Sequence, residues 1–318
     1  NAAMNAIEDT RTNWHAGERA AQERAGTAEP LAQVGQQVIR PFMPDQHRLF
    51  FAQLPFIVVG ALDADGQPWA SMLTGLPGFV HSPHPQRLEI AAEAVAGDPV
   101  KDALRLGAPI GLLGIELPTR RRNRTNGFIL AKDENGLAVA VEESFGNCPQ
   151  YIQKREYESF SRESGTAQSF AGLPEDAAAL IRRADTMFVA TAAPTDDGDY
   201  RVDVSHRGGR PGFLGIDGTG AIVVPDFRGN GFFQTIGNLT TYPKAGLLIP
   251  DFATGDLLQI AGAAEIVWDG VEVEAFQGAQ RLWKVRPDGG HWLRGAFPLR
   301  FGAAELSPRS RMVGVYPS

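Results

Sequence analysis

The fold is decided by residues 200–268, which read YRVDVSHRGGRPGFLGID (200–217), AIVVPDFRGNGFF (221–233) and TTYPKAGLLIPDFATGDLLQIAGAAEIVW (240–268). Short apolar runs at 222–224, 246–249 and 257–260 contain β-branched residues and are separated by Gly, Pro and Asp turns. These runs are too short and too closely spaced for helices. The stretch therefore predicts an antiparallel sheet that closes on itself.

Polar and cationic residues lie between these predicted strands: Ser205, His206, Arg207, Arg210, Arg228, Asn230 and Asn238. The glycines beside them allow a ligand to approach the backbone closely. A basic, glycine-rich set of turns on a small barrel suits an anionic ligand.

The composition limits what the chain can be. Its 318 residues exceed the usual size of one core, which favours two domains. A net charge of −7 argues against nucleic acid or an anionic membrane as a partner, although it allows a local basic pocket. The single cysteine excludes a disulfide framework and a cysteine-rich metal site. Together with the lack of a long apolar run or a signal-peptide layout, this leads us to expect a cytoplasmic protein.

The first half of the chain repeats the pattern of the second. Pro77-Gly78-Phe79 matches Pro211-Gly212-Phe213, and the Gly-Leu-Leu at 111–113 matches that at 246–248 at nearly the same offset. We therefore predict two copies of one β-barrel domain, at 51–154 and 188–318, packed as a pseudo-dimer. Residues 5–50 are predicted to form a helical segment, and residues 155–187 a linker with a lead-in helix. A ligand pocket is expected between the copies.

Four phrases together carry a resemblance to a known family: VDVSHRGGRPGFLGID, VVPDFRGNGFFQTIGNL, YPKAGLLIPDF and SFGNCPQYIQ. They resemble the pyridoxamine 5′-phosphate oxidase-related, FMN-binding split-barrel family in its two-barrel form, over roughly residues 10 to 315. The resemblance implies an all-β fold with accessory helices, built of tandem split β-barrels. It also implies FMN held between the barrels, and flavin redox chemistry.

The resemblance also implies site residues in the second barrel. Ser205, His206 and Arg207 match the family's first flavin-binding strand and turn, and residues 225–227 (Pro225, Asp226 and Phe227) match a segment along the ring edge. Arg228 and Asn230 match the phosphate-gripping turn. The oxidase itself has Ser-Arg-Lys at that turn, so this chain departs from it there.

The first barrel contributes TRRRNRTNG (119–127), in which strand alternation sends Arg120, Arg122 and Arg124 to one face. Crowded like charges repel unless an anion lies among them, so Arg122 and Arg124 are predicted to bind an anion. The alternative is a solvated edge strand protected by charge against aggregation. Because the corresponding GDLLQIAG of the second copy lacks the cluster, we expect a single asymmetric site.

Two further residues have open alternatives. Arg300, in PLRFGAAELSP, resembles a family element that returns toward the flavin, and a surface salt bridge is its alternative. Cys148 is either a small apolar residue or a redox group. No residue is assigned as a catalytic acid or base.

The predicted function is an FMN-dependent oxidoreductase acting on a small molecule, with an electron donor such as NAD(P)H. Activity of the oxidase proper is disfavoured because that enzyme is a shorter, single-barrel chain. The alternatives are a non-catalytic flavin or small-ligand binding module, such as a sensor or carrier, and a cofactor-free interaction domain. Association into a homodimer stays open. Sequence signatures of P-loop, Rossmann, zinc-protease and nucleophile-elbow enzymes are absent.

Overall fold

The computed structural model describes residues 14–26, 39–146, 149–161, 165–229 and 233–318. Its strands pair antiparallel throughout the two large sheets, and short helices lie around them. The fold is therefore all-β with accessory helices, as the sequence predicts. Among the described residues, none of the helices has the length and apolar character needed to cross a membrane.

The N-terminal sheet has seven strands in the order β2-β1-β5-β6-β7-β4-β3. They are β1 (Phe56–Leu62), β2 (Pro68–Thr74), β3 (Val80–His84), β4 (Arg87–Ile90), β5 (Pro109–Glu116), β6 (Arg121–Asp133) and β7 (Gly136–Gly146). The strand β6 lies between β5 and β7, so the edge-strand alternative for its arginines is wrong.

The next strands are β8 (Tyr157–Phe160) and β9 (Thr166–Ala171), followed by the C-terminal sheet. This sheet contains β10 (Thr186–Pro194), β11 (Tyr200–Gly208), β12 (Gly215–Ile216), β13 (Ile222–Phe227), β14 (Lys244–Asp251), β15 (Asp256–Val267) and β16 (Ala279–Arg294). Its order, β11-β10-β14-β15-β16-β13-β12, repeats that of the N-terminal sheet, and β9 also pairs with β16. A last strand, β17 (Leu299–Phe301), pairs with β8.

The helices are α1 (Ala16–Ala25), α2 (Asp45–Ala52), α3 (Pro99–Ala103), α4 (Glu175–Arg183), α5 (Gln234–Thr241) and α6 (Val271–Ala275), with a 3-10 turn at Ser310–Met312. In α4 the acidic residues stand in the first turn and the arginines in the last, which suits the helix dipole. The domain boundaries given above stay predictions.

The core has one cluster inside each sheet and a third between the sheets. In β1, Ile57 and Val59 belong to the cluster of the N-terminal sheet, whereas Phe56 and Val58 pack against residues of the C-terminal sheet. The strand is apolar on both faces because both faces are buried, and this explains its continuous rather than alternating hydrophobic run.

Two glycines let the sheets approach each other. A Cβ on Gly111 of β5 would lie 2.9 Å from the carbonyl oxygen of Val202, and one on Gly246 of β14 would lie 2.2 Å from that of Pro68. These glycines occupy equivalent places in the two sheets, opposite Gly60 and Ala190 respectively. The sheets therefore meet through reciprocal contacts, as a pseudo-dimer does.

Candidate functional site

A cavity of about 350 Å³ opens between the two sheets. Its walls come from β6 of the N-terminal sheet and from β11, β13, β16 and the start of α5 in the C-terminal sheet, and Ala25 of α1 also lines it. The cavity thus lies where the two halves of the chain meet.

Most of the predicted site residues line this one cavity: Arg122, Arg124, Ser205, His206, Arg207, Pro225, Asp226, Phe227 and Arg228. Strand alternation on β6 sends Arg122 and Arg124 to the same face, and the remaining residues stand at the ends of β11 and β13. Residues far apart in sequence are therefore brought together, while their roles as cofactor ligands stay predictions.

Other predicted residues lie elsewhere. The Arg300 guanidinium donates hydrogen bonds to the carbonyl oxygens of Phe297 (3.0 Å), Leu299 (3.1 Å) and Thr254 (2.8 Å), outside the cavity. The structure therefore places Arg300 away from the cavity, and within the described ranges it forms no salt bridge. Arg120 precedes β6 in a left-handed turn (φ 56°), and its Nε donates to the carbonyl oxygen of Ile152, so it does not share the face of Arg122. Asn230 and Cys148 lie outside the described residues.

One end of the cavity is built around the carboxylate of Asp226. It accepts a hydrogen bond from Arg207 Nη1 at 2.5 Å and another from Arg281 Nη1. Asp226 and Arg281 are both buried, and they face each other in the pairing of β13 with β16. The pair of arginines leaves this end of the cavity with a net positive charge even after Asp226 is counted.

A second buried ion pair at the cavity joins the lining residue Arg124 of β6 to Asp203 of β11. The Arg124 guanidinium also lies 5.1 Å from the centre of the Phe145 ring. Burial, reinforced by nearby Arg122 and Arg207, lowers the pKa of Arg124 to about 9, so the group stays protonated at neutral pH. This pair joins the two sheets at the cavity.

His206 is held as a neutral imidazole. Arg122 Nη1 lies 2.9 Å from His206 Nδ1, and a guanidinium can only donate, so Nδ1 accepts and Nε2 carries the proton. Burial, together with the charges of Arg122 and Arg207, moves the pKa of His206 well below its usual range. The ring therefore offers one N–H donor and no charge at neutral pH.

Several polar atoms of cavity residues are buried without a hydrogen-bond partner among the described residues: Arg124 Nε, His206 Nε2, Gln150 Oε1 and Gln234 Nε2. An unsatisfied buried donor or acceptor costs about 1–3 kcal/mol, so such atoms mark places where a bound molecule is expected to supply partners. The donor set is dominated by arginine and N–H groups, which suits an anion with oxygen acceptors.

The equivalent place in the other half has no such chemistry. Met72 of β2 faces Val58 of β1, just as His206 of β11 faces Phe188 of β10, so Met72 is the counterpart of His206. The residue after Met72 is Leu73, whereas the residue after His206 is Arg207. In β15 the counterparts of Arg122 and Arg124 are Leu257 and Gln259.

Gln259 fills the position equivalent to Arg124 with a neutral side chain. Its Nε2 donates to the carbonyl oxygen of Ala70 at 3.0 Å and to Asp98 Oδ1 at 3.1 Å, and the side chain is fully buried. The fold is repeated but the basic site is not. The basic cluster is therefore asymmetric between the two halves, while a single ligand site stays a prediction.

Sequence reasoning did not find Arg281, Gln234, Thr235 or Gln280, which also line the cavity. Arg281 carries no local signal, because its role comes from its register with Asp226 across two strands distant in sequence.

Comparison with known proteins finds no matching family model and no significantly similar curated protein. Among solved structures, HupZ of Group A Streptococcus matches with 14% identity and a TM-score of 0.27, covering 36% of this chain and 90% of HupZ. A putative pyridoxamine 5′-phosphate oxidase of Lactobacillus delbrueckii matches with 17% identity and a TM-score of 0.27, covering 33% of this chain and 95% of its own. An F420 reductase matches with 18% identity and a TM-score of 0.24, covering 42% and 98%. These are distant similarities of fold.

Proposed function

We propose that this chain is a flavoprotein that binds one FMN in the cavity and acts as an oxidoreductase on a small molecule. The observation that carries the proposal is the convergence of arginines from both sheets on one cavity that also contains unsatisfied buried donors. FMN combines a dianionic phosphate, a hydroxylated chain and a flat ring with a hydrogen-bonding edge. The motif resemblance of the sequence points to the same cofactor.

The residues present fit such a group. Arg122 and Arg124, together with Arg228 at the rim, would hold the phosphate, because guanidinium groups bind phosphate oxygens through paired hydrogen bonds. His206 Nε2 and Gln234 Nε2 would donate to the polar chain or the ring edge. When bound, FMN supplies the hydride or electron transfer, and the protein orients the substrate and sets the electrostatic environment.

The positive charge of the cavity has a chemical role in this proposal. Arg207 and Arg281 share the single carboxylate of Asp226, so their combined charge is only partly neutralised. Fixed cations stabilise negative charge that develops nearby during a reaction. The neutral His206 adds a donor without adding an acid that could titrate near pH 7.

Arg228→Ala is expected to weaken FMN binding about two- to 13-fold, since its exposed guanidinium would contribute one solvent-screened hydrogen bond of about 0.5–1.5 kcal/mol. The measurement is a titration of the apoprotein with FMN, in which binding is monitored by the quenching of flavin fluorescence. Arg300→Ala is the matched control and should leave the affinity unchanged, because Arg300 lies outside the cavity. Equal losses in both variants would contradict the proposed arrangement.

Turnover distinguishes an oxidoreductase from a binding module. We expect NADH or NADPH, added without oxygen, to bleach the visible band of the bound flavin, and oxygen to restore it. A flavin that stays oxidised with both donors would favour a non-catalytic carrier or sensor.

A further inference from the structure

Helix α1 belongs to neither sheet but forms part of the cavity wall. Ala25, its last residue, lines the cavity, and the Arg24 guanidinium lies 4.4 Å from the centre of the Trp268 ring. At the other end, Trp14 is buried against Phe145 of β7. The helix therefore spans from the N-terminal sheet to the segment that follows β15.

The helix is seated on α5 by a close backbone contact. A Cβ on Gly17 would lie 2.2 Å from the carbonyl oxygen of Gly237, so glycine is required there. His15 Nδ1 accepts the amide protons of Gly17 and Glu18, which leaves Nε2–H to donate to Asn238 Oδ1 at 2.6 Å. Because α5 begins with residues that line the cavity, the seating of α1 supports two parts of the wall.

The carboxyl group of Glu18 is buried in this contact. The residue is 6% exposed, and its Oε2 accepts a hydrogen bond from the His15 amide at 2.8 Å. Burial raises the pKa of Glu18 to about 8, and nearby Glu143 acts in the same direction. The His15 ring lies 3.8 Å away, but burial lowers its pKa to about 4, so it is uncharged at neutral pH.

The charged groups that face Glu18 from the sheets are Glu143 on β7, Arg201 on β11 and Arg124 on β6. Arg201 already pairs with Glu143 at 2.8 Å, and Arg124 pairs with Asp203. The packed residues of α5 are uncharged. In the described part of the chain, an ionised Glu18 would therefore lie beside a carboxylate while both nearby cations are already paired.

We propose that α1 is a detachable wall of the cavity, and that its seating requires the buried Glu18 carboxyl group to carry a proton. Alkaline conditions would then release the helix and open the cavity. The effect on FMN rests on the proposed function, whereas the release of the helix does not.

The direction in which pH changes the seating of α1 follows from proton linkage. The seated carboxyl group has a raised pKa, so the seated state binds more protons than the released state between the ordinary value of 4.5 and about 8. Seating is therefore strongest below the ordinary pKa and weakens as the pH rises toward about 8. The equilibrium shifts by up to about tenfold per pH unit in that window.

The test compares the wild type with Glu18→Gln between pH 6 and 8.5. Glutamine keeps the size and the capping acceptor but cannot ionise. Two signals are recorded: Trp14 emission in the apoprotein, assigned by difference from Trp14→Phe, and the FMN dissociation constant. Glu23→Gln, at an exposed position of the same helix, is the matched control. Gly17→Ala provides the released reference, since its Cβ would strike Gly237.

In the wild type and in Glu23→Gln we expect Trp14 emission to shift to the red and the FMN dissociation constant to rise at least tenfold across this range. In Glu18→Gln the Trp14 emission should stay constant, and the FMN dissociation constant should show only the change that comes from the second ionisation of the phosphate at about pH 6 and from Arg124. Identical pH profiles in the wild type and Glu18→Gln, or a Trp14 signal that does not move in the wild type, would overturn the proposal. If the Trp14 shift occurs only in proteins that retain Glu18, and none of the proteins binds FMN, the helix release would be supported and FMN would be ruled out as the cofactor.

Discussion

Asp203→Ala is expected to lower the free energy of unfolding of the apoprotein by about 3–5 kcal/mol, the usual effect of removing one partner of a buried ion pair. Asp203 and Arg124 are both about 5% exposed in their side chains, and Arg124 would be left uncompensated near Arg122 and Arg207. The loss of Asp203 would also remove an acceptor of the Asn126 amide, at 3.2 Å. Urea denaturation followed by circular dichroism measures the change.

Asp197→Ala is the control, because Asp197 is exposed in the turn between β10 and β11 and should change stability by less than about 0.5 kcal/mol. If an anion binds beside Arg124, FMN should recover part of the loss in Asp203→Ala. A stability change below about 1 kcal/mol for Asp203→Ala would show that the pair does not hold the sheets together as described.

Arg122→Ala is expected to weaken FMN binding by about 1.5–3 kcal/mol, which is roughly ten- to 150-fold, if its guanidinium holds the phosphate through charged hydrogen bonds. The variant also frees His206 Nδ1 from the donor that fixes its tautomer. Equilibrium dialysis or fluorescence quenching with FMN gives the affinity.

Arg121→Ala is the matched control on the same strand. Its guanidinium lies 4.9 Å from the centre of the Phe50 ring and it does not line the cavity, so its loss should leave the affinity unchanged. Equal affinities of wild type and Arg122→Ala would assign Arg122 to structure rather than to the ligand.

The architecture could be predicted because its signals are local and repeated. Apolar runs such as 222–224 and 246–249 specify strands, and the repeated Pro-Gly-Phe and Gly-Leu-Leu phrases specify two equivalent sheets. The same strand order in both sheets confirms this prediction.

The site could be predicted only in part, because the register between strands that are distant in sequence cannot be inferred from any single segment. Arg207 and Asp226 were accessible through their motifs, whereas Arg281 enters the site through pairing of β13 with β16. The predicted face of Arg120 is wrong because strand alternation holds only from Arg121, where β6 begins, and the backbone turns at Arg120. Arg124 proved to be a buried partner of Asp203 as well as a cavity residue, and no sequence pattern indicates that pairing.

The position equivalent to Arg124 in the C-terminal sheet shows how a duplicated fold can retain a single basic cluster. Gln259 fills the position equivalent to Arg124, and its Nε2 donates to Ala70 and Asp98, whereas its Oε1 is buried without a partner among the described residues. A neutral amide offers no positive charge to an anion, whereas an arginine cluster with unsatisfied donors gains from binding one.

The most direct test of the central claim is the visible absorption spectrum of the purified protein, with the mass and the amount of any chromophore released on denaturation. We predict flavin bands, the mass of FMN, and one FMN per chain after saturation. A colourless protein that does not bind added FMN would contradict the proposed cofactor, and two FMN per chain would contradict the single asymmetric site.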